Sequence, residues 1–368
     1  EDLRPDNYAH LRKQLGTRLQ EELYPQSESI HYATLNSRDR EILLNAGVPN
    51  DRLHWLPNPV YTPDLPADPI AVRGKMAASQ LVPRDHRFLL YPVRAIARKN
   101  VGEALLWALL SDRQTIGITM APVAAREQKL YQNWIDLAQR FGIRCRFDLS
   151  SQFTFGENVA ASDGFLTTSV AEGFGMVFLE SYLTGRETWG RDLPEITTDF
   201  RKAGIMFPRL RPMMAIPRAW IDMSDYRQSM LSCYRALCRQ FDFDASTASR
   251  QPCHKMFEED TVDFGRLPVA LQEDLIGQLC RDRGKVAELS VADRDDHSRL
   301  AGPNDLSGNQ AKVQQNFGEA AIGSRLMKIY RRLLASPAGR PISPAPSQAT
   351  ILQSFLSFDR LFPIRLVS

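Results

Sequence analysis

The sequence has few cysteines, no long apolar segment and no strong excess of charge of either sign. Its five cysteines form an odd and widely spaced set, which excludes a disulfide framework and favours a reducing compartment. The longest apolar run, about Ala104–Leu110, is far shorter than the roughly 20 residues of a membrane-spanning helix. The net charge of +3 is too small for a protein that coats nucleic acid or anionic lipid. We therefore expect a cytoplasmic protein with no transmembrane segment and no nucleic-acid partner.

The remaining composition is that of a folded protein. Of the 368 residues, 43% are hydrophobic and 24% are charged, which excludes collagen-like and disordered classes and leaves room for two or three domains. The sequence begins with Glu1 instead of Met and shows no signal peptide. We therefore expect that these residues are a piece of a longer protein.

Before residue 70 the patterns predict short elements followed by a linker. Leucines at every fourth position form one apolar stripe on a helix: Leu11, Leu15, Leu19 and Leu23. Two short strands, Ser29–Asn36 and Arg52–Leu56, flank a short helix at Asp39–Asn45 with Ser37 as its N-cap. Five prolines between Pro57 and Pro69 then predict a connection between domains.

Strand and helix patterns alternate in the next part of the chain. The predicted strands are Phe88–Tyr91, Thr115–Met120, Ile143–Phe147 and Gly164–Thr168, and the predicted helices are Val101–Leu110, Ala124–Phe141 and Val177–Thr184. Alternation of this kind predicts an α/β fold, with a parallel Rossmann-like sheet covered by helices on both faces. A long helix is also predicted near the end, from Asn309 to about Ala335.

A glycine-rich turn carries the strongest chemical signal. The segment Glu172–Glu180, EGFGMVFLE, follows a buried strand and leads into a helix. Gly173 and Gly175 permit positive φ and a close approach of ligand to backbone, and free N–H groups at the helix start attract an anion. From spacing alone, a turn with two solvated glutamates explains the segment equally well. Its place at the carboxyl end of a strand, where α/β sheets bind ligands, favours a site.

A basic turn is the second signal. Arg94–Asn100, RAIARKN, lies between the strand Phe88–Tyr91 and the helix Val101–Leu110. Arginine offers a planar fork to phosphate oxygens, and lysine offers a point charge. Taken alone, a solvated basic turn is the better explanation. Together, cations at one strand end and carboxylates at another suit a ligand with a diphosphate and several hydroxyl groups, namely a nucleotide sugar.

These motifs resemble the retaining GT-B glycosyltransferases. The resemblance rests on Lys99 five residues after Arg94, on E-G-F-G-x4-E, and on Pro194-Glu195-Ile196. The most similar group is the glycogen/sucrose-synthase-like family, glycosyltransferase family 4. The resemblance covers roughly residues 30–205 and 309–335, and residues 53–60 look like the family's crossing between domains. The polar stretch 186–193 departs from the Pro-Val-Val-like strand that the family has there.

The resemblance implies a role for each matching residue. Arg94 and Lys99 would hold the donor diphosphate and stabilise the leaving nucleotide, and Glu172 would contact the transferred sugar. Glu180 would bind the ribose hydroxyls, with backbone groups of four neighbours helping to hold the donor: Gly173, Phe174, Gly175 and Met176. The donor would be a nucleotide sugar such as a UDP- or GDP-hexose, used with retention and without a metal or other cofactor. The resemblance implies no catalytic role for any of the six histidines.

The resemblance also implies a division of the chain. The expected parts are an end of the acceptor-side Rossmann-like domain at 1–57, a linker at 58–86, the donor-binding core at 87–206, a subgroup-specific insertion at 207–305, a terminal helix that packs back on the core at 306–336, and a proline-rich tail at 337–368. The N-terminal remnant is much shorter than a whole acceptor domain. We therefore expect this chain to depend on a missing N-terminal domain, binding the donor but transferring its sugar poorly to an acceptor that remains unknown.

Two further functions would fit the same motifs. A GT-B epimerase or phosphorylase would share the architecture, and a non-catalytic nucleotide-binding module could retain the site. Other patterns are weak. They are a Cys set (Cys233, Cys238, Cys253 with His254), two D-x-D triplets (Asp242–Asp244 and Asp293–Asp295), and a phenylalanine stripe near the end (Phe355, Phe358 and Phe362). We interpret the cysteines as structural, the triplets as chance, and the stripe as packing on the protein body.

Overall fold

The computed structural model describes residues 5–66, 68–244, 256–289, 306–335, 339 and 346–366. The chain divides into two compact units. The first comprises 1–60, 227–258 and 314–361, and the second comprises 61–226, 259–313 and 362–368. The domain ranges expected from the sequence stay predictions.

A six-stranded parallel sheet forms the centre of the second unit. Its strands are β3 (Arg87–Arg94), β4 (Gln114–Met120), β5 (Cys145–Arg146), β6 (Gly164–Thr167), β7 (Thr188–Arg191) and β8 (Leu210–Arg211). The buried apolar runs of β3 and β6 are typical of strands covered on both faces. The predicted α/β class with a Rossmann-like parallel sheet is therefore confirmed. The strand β8 lies beyond residue 206, where the donor core was expected to end.

Helices connect these strands and pack on the sheet. They are α4 (Pro69–Ala78), α5 (Val101–Leu109), α6 (Ala125–Phe141), α7 (Phe155–Ala161), α8 (Val177–Leu183) and α9 (Pro194–Lys202). Several have clear capping signals: Asp68 accepts a hydrogen bond at the start of α4, and Thr154 and Glu157 form a capping box on α7. Gly142 and Gly185 follow α6 and α8 with positive φ, as C-terminal glycines do.

The strand order β5-β4-β3-β6-β7-β8 reverses direction between β3 and β6. After β3 the chain adds β4 and β5 on one side, and then returns to place β6 on the other side of β3. Crevices at such a switch point, outside the carboxyl ends of the strands, are where open α/β sheets bind ligands. The basic turn follows β3 and the glycine-rich turn follows β6, so the topology brings the two motifs together.

The rest of the second unit includes an antiparallel strand pair and a helix. β9 (Ala215–Pro217) pairs with β10 (Thr261–Asp263). The helix Val269–Arg281, which contains the predicted amphipathic piece 271–280, packs against α5 and α6. This helix therefore contributes to the layer that covers one face of the sheet, although it belongs to the range expected to be an insertion.

The first unit contains a small parallel pair of strands and several helices. β1 (Tyr32–Thr34) pairs with β2 (Leu53–Trp55), and both are shorter than the predicted strands. The helix α3 (Ser37–Asn45) lies between them and is capped by Asn36, whose side chain accepts from the Asp39 N–H at 2.7 Å. The prediction of Ser37 as the cap is therefore wrong by one residue.

The leucine stripe near the start is confirmed. The helices α1 (Pro5–Leu15) and α2 (Leu19–Leu23) carry it, and Leu19 is buried with Tyr8, Phe241 and Leu356. From the phenylalanine stripe near the end, Phe358 is buried against Tyr234 and Phe257, as expected, whereas Phe355 remains partly exposed. These contacts form the apolar core of the first unit.

The predicted long helix is present as two segments, Leu306–Phe317 and Glu319–Ala335. They meet at Gly318, whose N–H donates to the Gln314 carbonyl and whose carbonyl accepts from the Ile322 N–H, both at 3.1 Å. The helical hydrogen bonding therefore continues through the junction. The Val60 N–H donates to the Phe317 carbonyl at 2.9 Å, which ties the end of the proline-rich crossing to this helix within the first unit.

The residues of the weak sequence patterns lie at positions that fit structural roles where the structure describes them. Cys233 and Cys238 lie on the helix Met223–Gln240, where burial raises the pKa of both thiols. Asp242 follows that helix and pairs with Arg12 instead of ending a core strand. The Cys253–His254 pair and the triplet Asp293–Asp295 lie outside the described residues. Among the helices that the structure describes, none is long and apolar enough to cross a membrane.

Candidate functional site at the switch point of the sheet

The basic turn begins where β3 ends. After Arg94, residues Ala97–Lys99 form one turn of 3-10 helix, and Asn100 adopts left-handed backbone angles before α5 starts. The Ala97 N–H donates to Glu127 Oε2 at 2.8 Å. This carboxylate satisfies a backbone donor at the start of the turn and holds the turn against α6.

Two cations of this turn meet the first glutamate of the glycine-rich turn. Arg98 Nη1 lies 2.6 Å from Glu172 Oε2, and Lys99 Nζ pairs with Glu172 Oε1. The Glu172 side chain is only 7% exposed and that of Lys99 is 12% exposed, whereas the Arg98 side chain is 35% exposed. Arg98 is therefore the cation of the cluster that solvent, or a ligand, reaches most easily.

Electrostatics keep this cluster charged. Burial raises the pKa of Glu172, but Lys99 and Arg98 lower it more strongly, so its pKa lies below the ordinary value. Burial lowers the pKa of Lys99, and Glu172 opposes that shift only in part. One carboxylate faces two cations, which leaves a net charge of about +1 in a partly buried crevice. Such a charge favours an anionic ligand.

Hydroxyl groups hold the two turns to each other. The buried Tyr91 hydroxyl donates to the Lys99 carbonyl and lies 2.8 Å from Ser169 Oγ. Thr168 Oγ1 lies 3.0 Å from the same carbonyl, and the Val170 N–H donates to the Arg98 carbonyl. The backbone of the basic turn is thus held by hydrogen bonds from residues 168–170, which directly precede Glu172 in the chain, and from Tyr91.

The glycine-rich turn has one position that demands glycine. Gly175 has a φ of +81°, and a Cβ there would lie 2.7 Å from the Phe178 ring. Gly173, by contrast, has no positive φ, so the predicted freedom is used at only one of the two glycines. Phe174 is buried edge-on against Phe200 at 5.4 Å between ring centroids, which anchors the turn. The side chain of Phe174 therefore packs in the core, and only its backbone is placed to contact a ligand.

Met176 and Glu180 belong to the start of α8. Met176 is the cap residue, and its carbonyl accepts the N–H of Glu180 at 2.9 Å. The Glu180 side chain is half-buried, and burial raises its pKa. Among the described residues it has no hydrogen-bond or ion-pair partner. A partly desolvated carboxylate without a partner is destabilising, and such groups are enriched at functional sites.

The structure distinguishes Arg94 from Arg98. Arg94 is exposed, and its Nη1 donates to the Ala121 carbonyl at 3.2 Å, whereas Arg98 pairs with Glu172. β3 has one extra residue between Tyr91 and Arg94 compared with β4, a bulge that changes the direction of the side chains after it. The sequence pattern did not single out Arg98, although it lies in the same basic segment.

A second group of charged residues was also missed. Arg191 donates to Asp263 through two nitrogens at 2.7 and 2.8 Å and to Glu103 Oε2 through Nε at 3.1 Å. Asn100 Nδ2 donates to the same Glu103 oxygen at 2.8 Å. Arg191 lies in the polar stretch 186–193, which forms the core strand β7. The polar stretch that departs from the family pattern thus contributes Arg191 to a buried ion cluster, whose two carboxylates come from α5 and β10.

Comparisons with known proteins give distant likenesses. No protein-family model matches the chain. A curated relative, the mannosylglucosyl-3-phosphoglycerate synthase of Petrotoga mobilis, is 24% identical over 379 residues, which cover 97% of this chain and 72% of that protein. The similarity therefore extends over both units.

Two solved structures illustrate the structural likeness. HepE of Anabaena in complex with UDP and glucose is 14% identical, with a TM-score of 0.46, over 90% of this chain and 69% of that one. A glycosyltransferase from Rickettsia africae is 10% identical, with a TM-score of 0.46, over 89% and 68%. Both TM-scores lie below 0.5, so these structural likenesses are distant.

Proposed function

We propose that this protein is a glycosyltransferase of the GT-B type, which moves a sugar from a nucleotide-sugar donor to an acceptor with retention. The observation that carries the proposal is the cluster of Glu172, Arg98 and Lys99 at the switch point of a doubly wound parallel sheet. The distant synthase from Petrotoga supports the same class of reaction. That relative's name also suggests the first substrates to assay, namely a mannose donor and a glucosyl-3-phosphoglycerate acceptor.

The donor diphosphate would bind at the cations of the turn. Arg98 is the more exposed of the two cations that pair with Glu172, so its guanidinium is the first cation that phosphate oxygens would meet. Lys99 is shared with Glu172 and would balance charge that develops on the leaving nucleotide. Arg94 stays a proposed contact because its exposed side chain is free to turn from the Ala121 carbonyl.

The transferred sugar would lie against Glu172 and the backbone of the glycine-rich turn. In a retaining transfer, the bond from the anomeric carbon to the phosphate oxygen breaks and a bond to the acceptor oxygen forms on the same face. The acceptor hydroxyl proton passes to the departing phosphate oxygen. The protein's part is to orient the sugar and to stabilise the phosphate charge, which Glu172, Arg98 and Lys99 can do without moving a proton.

Glu180 would accept hydrogen bonds from the ribose hydroxyls. Its carboxylate lacks a partner among the described residues, and burial raises its pKa, so the protein loses stability by keeping it charged there. A pair of hydroxyl donors would compensate that cost in the complex. Hydrogen bonds to a charged group contribute about 1.5–3 kcal/mol.

A titration with UDP, GDP and ADP tests this site without requiring the acceptor. We expect one of the three nucleotides to bind, and Glu180→Gln to weaken binding about 10-fold or more, because one such hydrogen bond contributes about 1.5–3 kcal/mol. The matched control is Glu273→Gln. Glu273 lies on the helix Val269–Arg281, and burial also raises its pKa. Absence of binding by all three nucleotides, or equal losses in the two variants, would contradict the proposal.

Thermal stability provides a second measurement on the same variants. Because burial raises the pKa of Glu180, the charged form costs free energy of folding above that pKa, and the cost disappears as the pH falls through it. Glu180→Gln should therefore unfold at the same or a higher temperature than the wild type at neutral pH, even though it binds nucleotide less well. A clear loss of stability would show that Glu180 has a structural role instead.

Product analysis distinguishes the alternatives that share this architecture. A transferase yields a glycosylated acceptor, whereas an epimerase yields an altered donor and a phosphorylase releases a sugar phosphate. In Glu172→Gln, all three chemistries should fall by two orders of magnitude or more, since removing one preorganised group typically costs that much. A variant that keeps the biological activity would indicate a nucleotide-binding module without catalysis.

A further inference from the structure

An open cleft in the first unit belongs to neither of the two motifs. It has a volume of about 960 Å³, at the upper end of the range for small-molecule sites. Its floor is the strand β2, one wall comes from α3 and the turn Asn50–Arg52, and the other wall is the helix Glu319–Ala335. The cleft therefore lies wholly within one compact unit.

Cations dominate the lining of this cleft. Five line it, namely Arg40, Arg52, Arg325, Lys328 and Arg332, against two carboxylates, Glu28 and Asp51. On the helix wall, residues 325, 328 and 332 follow spacings of three and four, which places them on one face. In the part of the chain that the structure describes, no carboxylate forms an ion pair with Arg40, Arg52, Arg325 or Lys328. The cleft thus has an uncompensated positive charge.

Three of the arginines are held in place without being neutralised. Arg52 Nη1 donates to the Ser27 carbonyl at 2.7 Å, and Arg40 Nε donates to the Leu53 carbonyl at 3.2 Å. The guanidinium carbon of Arg325 lies 4.6 Å from the centre of the Trp55 ring. Because each guanidinium has five N–H donors, these contacts leave donors available. The side chains are therefore positioned in advance, which reduces the entropy lost on binding.

One of the remaining donors is already desolvated. Arg325 Nη1 is buried and has no hydrogen-bond partner among the described residues. A buried donor without an acceptor costs about 1–3 kcal/mol. A rearrangement of the Arg325 side chain that brought this nitrogen to a ligand oxygen would remove that cost.

Two histidines complete the floor of the cleft. His31 Nδ1 lies 2.8 Å from His54 Nε2, so one ring donates to the other. Burial lowers the pKa of both rings, and nearby arginines lower it further: Arg52 for His31, and Arg332 and Arg40 for His54, with Asp51 opposing the shift in each case. The neutral rings therefore serve as hydrogen-bonding groups, and the arginines and the lysine supply the charge.

We propose that this cleft binds a small phosphorylated molecule with at least two anionic groups. Cations on two opposite walls, Arg52 on one and Arg325 and Lys328 on the other, suit two separate anionic groups better than one. The volume of about 960 Å³ matches the size of a small molecule. The inference goes beyond the proposed glycosyl transfer and does not depend on it, since the cleft and the switch-point site share no residue.

Calorimetric titration of the full chain with inorganic pyrophosphate tests the cleft. The background is Lys99→Gln, which weakens the diphosphate contacts of the switch-point site, and the remaining binding is assigned to the cleft only where a substitution in the cleft weakens it. We expect Arg325→Gln and Lys328→Gln each to weaken this binding at least 10-fold. The control is Arg331→Gln on the same helix, at an exposed position outside the cleft, which should bind as the background does.

Each other outcome overturns the proposal. They are absence of pyrophosphate binding in the Lys99→Gln background, an equal loss in Arg331→Gln, or binding only of a long polyanion such as duplex RNA. Lys328 is exposed, so its variant should fold even if loss of the Arg325–Trp55 contact harms the fold. UDP titration of Lys328→Gln in the otherwise unchanged chain separates the two sites. This variant should still bind UDP at the switch-point site. Absence of UDP binding in both this variant and the wild type would contradict the proposed transferase function only.

Discussion

The buried cluster of Arg191, Glu103 and Asp263 provides the sharpest test of how the sheet is held together. Replacing Arg191 by Met leaves two carboxylates whose side chains are 1% and 8% exposed without their cation. Breaking a buried ion pair by removing one partner typically costs about 3–5 kcal/mol. The cost here should lie in the upper half of that range, because a single guanidinium serves both carboxylates.

Denaturant unfolding followed by tryptophan fluorescence measures this loss. Four of the five tryptophans, Trp107, Trp134, Trp189 and Trp220, lie in the second unit, so the signal reports mainly on the unit that contains the cluster. The matched control is Arg201→Met. The Arg201 side chain is 41% exposed, and its Nη2 lies 3.0 Å from Asp192 Oδ2. Partly exposed ion pairs contribute about 0–1 kcal/mol, so this control should unfold almost like the wild type.

The stability lost in Arg191→Met should also depend on pH, in a direction that the structure predicts. Burial raises the pKa of Glu103 to about 7 even with Arg191 present, and loss of the cation raises it further. A carboxyl group with a raised pKa destabilises the fold above that pKa, and the penalty is lost as the pH falls through it. The deficit of Arg191→Met should therefore shrink between pH 8 and pH 5. A deficit below 1 kcal/mol at pH 8, or one that grows on acidification, would refute this reasoning.

Two further substitutions test local parts of the structure. Gly175→Ala should lower the stability of the second unit by about 1–3 kcal/mol, because it combines strained positive φ with overpacking against Phe178; equal unfolding midpoints for variant and wild type would contradict this strain. Asn36→Ala should cost about 1 kcal/mol in the unfolding of the first unit, because it removes the cap on α3. Ser37→Ala is the control for the cap that the sequence predicted, and a larger loss in that control would restore Ser37 as the cap.

The sequence predicted the architecture of the second unit better than its side-chain contacts. The strands and helices predicted between residues 87 and 185 are present, with ends no more than three residues from the predicted ones, because hydrophobic periodicity and terminal glycines are local properties. The helix α7 in the same range was not predicted. The strand β7 was not predicted, since Thr188 and Arg191 are polar and yet buried. A local pattern cannot show that a buried arginine finds its carboxylates 88 and 72 residues away.

The candidate site shows the same division. The sequence by itself placed a basic turn and a carboxylate turn at the ends of two parallel strands, because strand-to-helix connections follow from periodicity. Only the tertiary structure decided that Arg98, and not Arg94, joins Lys99 at Glu172, since that pairing depends on a residue 74 positions away in the chain. It also decided the charged cleft of the first unit, whose walls come from residues nearly 300 positions apart in the chain. The local pattern determines which elements form, whereas packing determines which charges face one another.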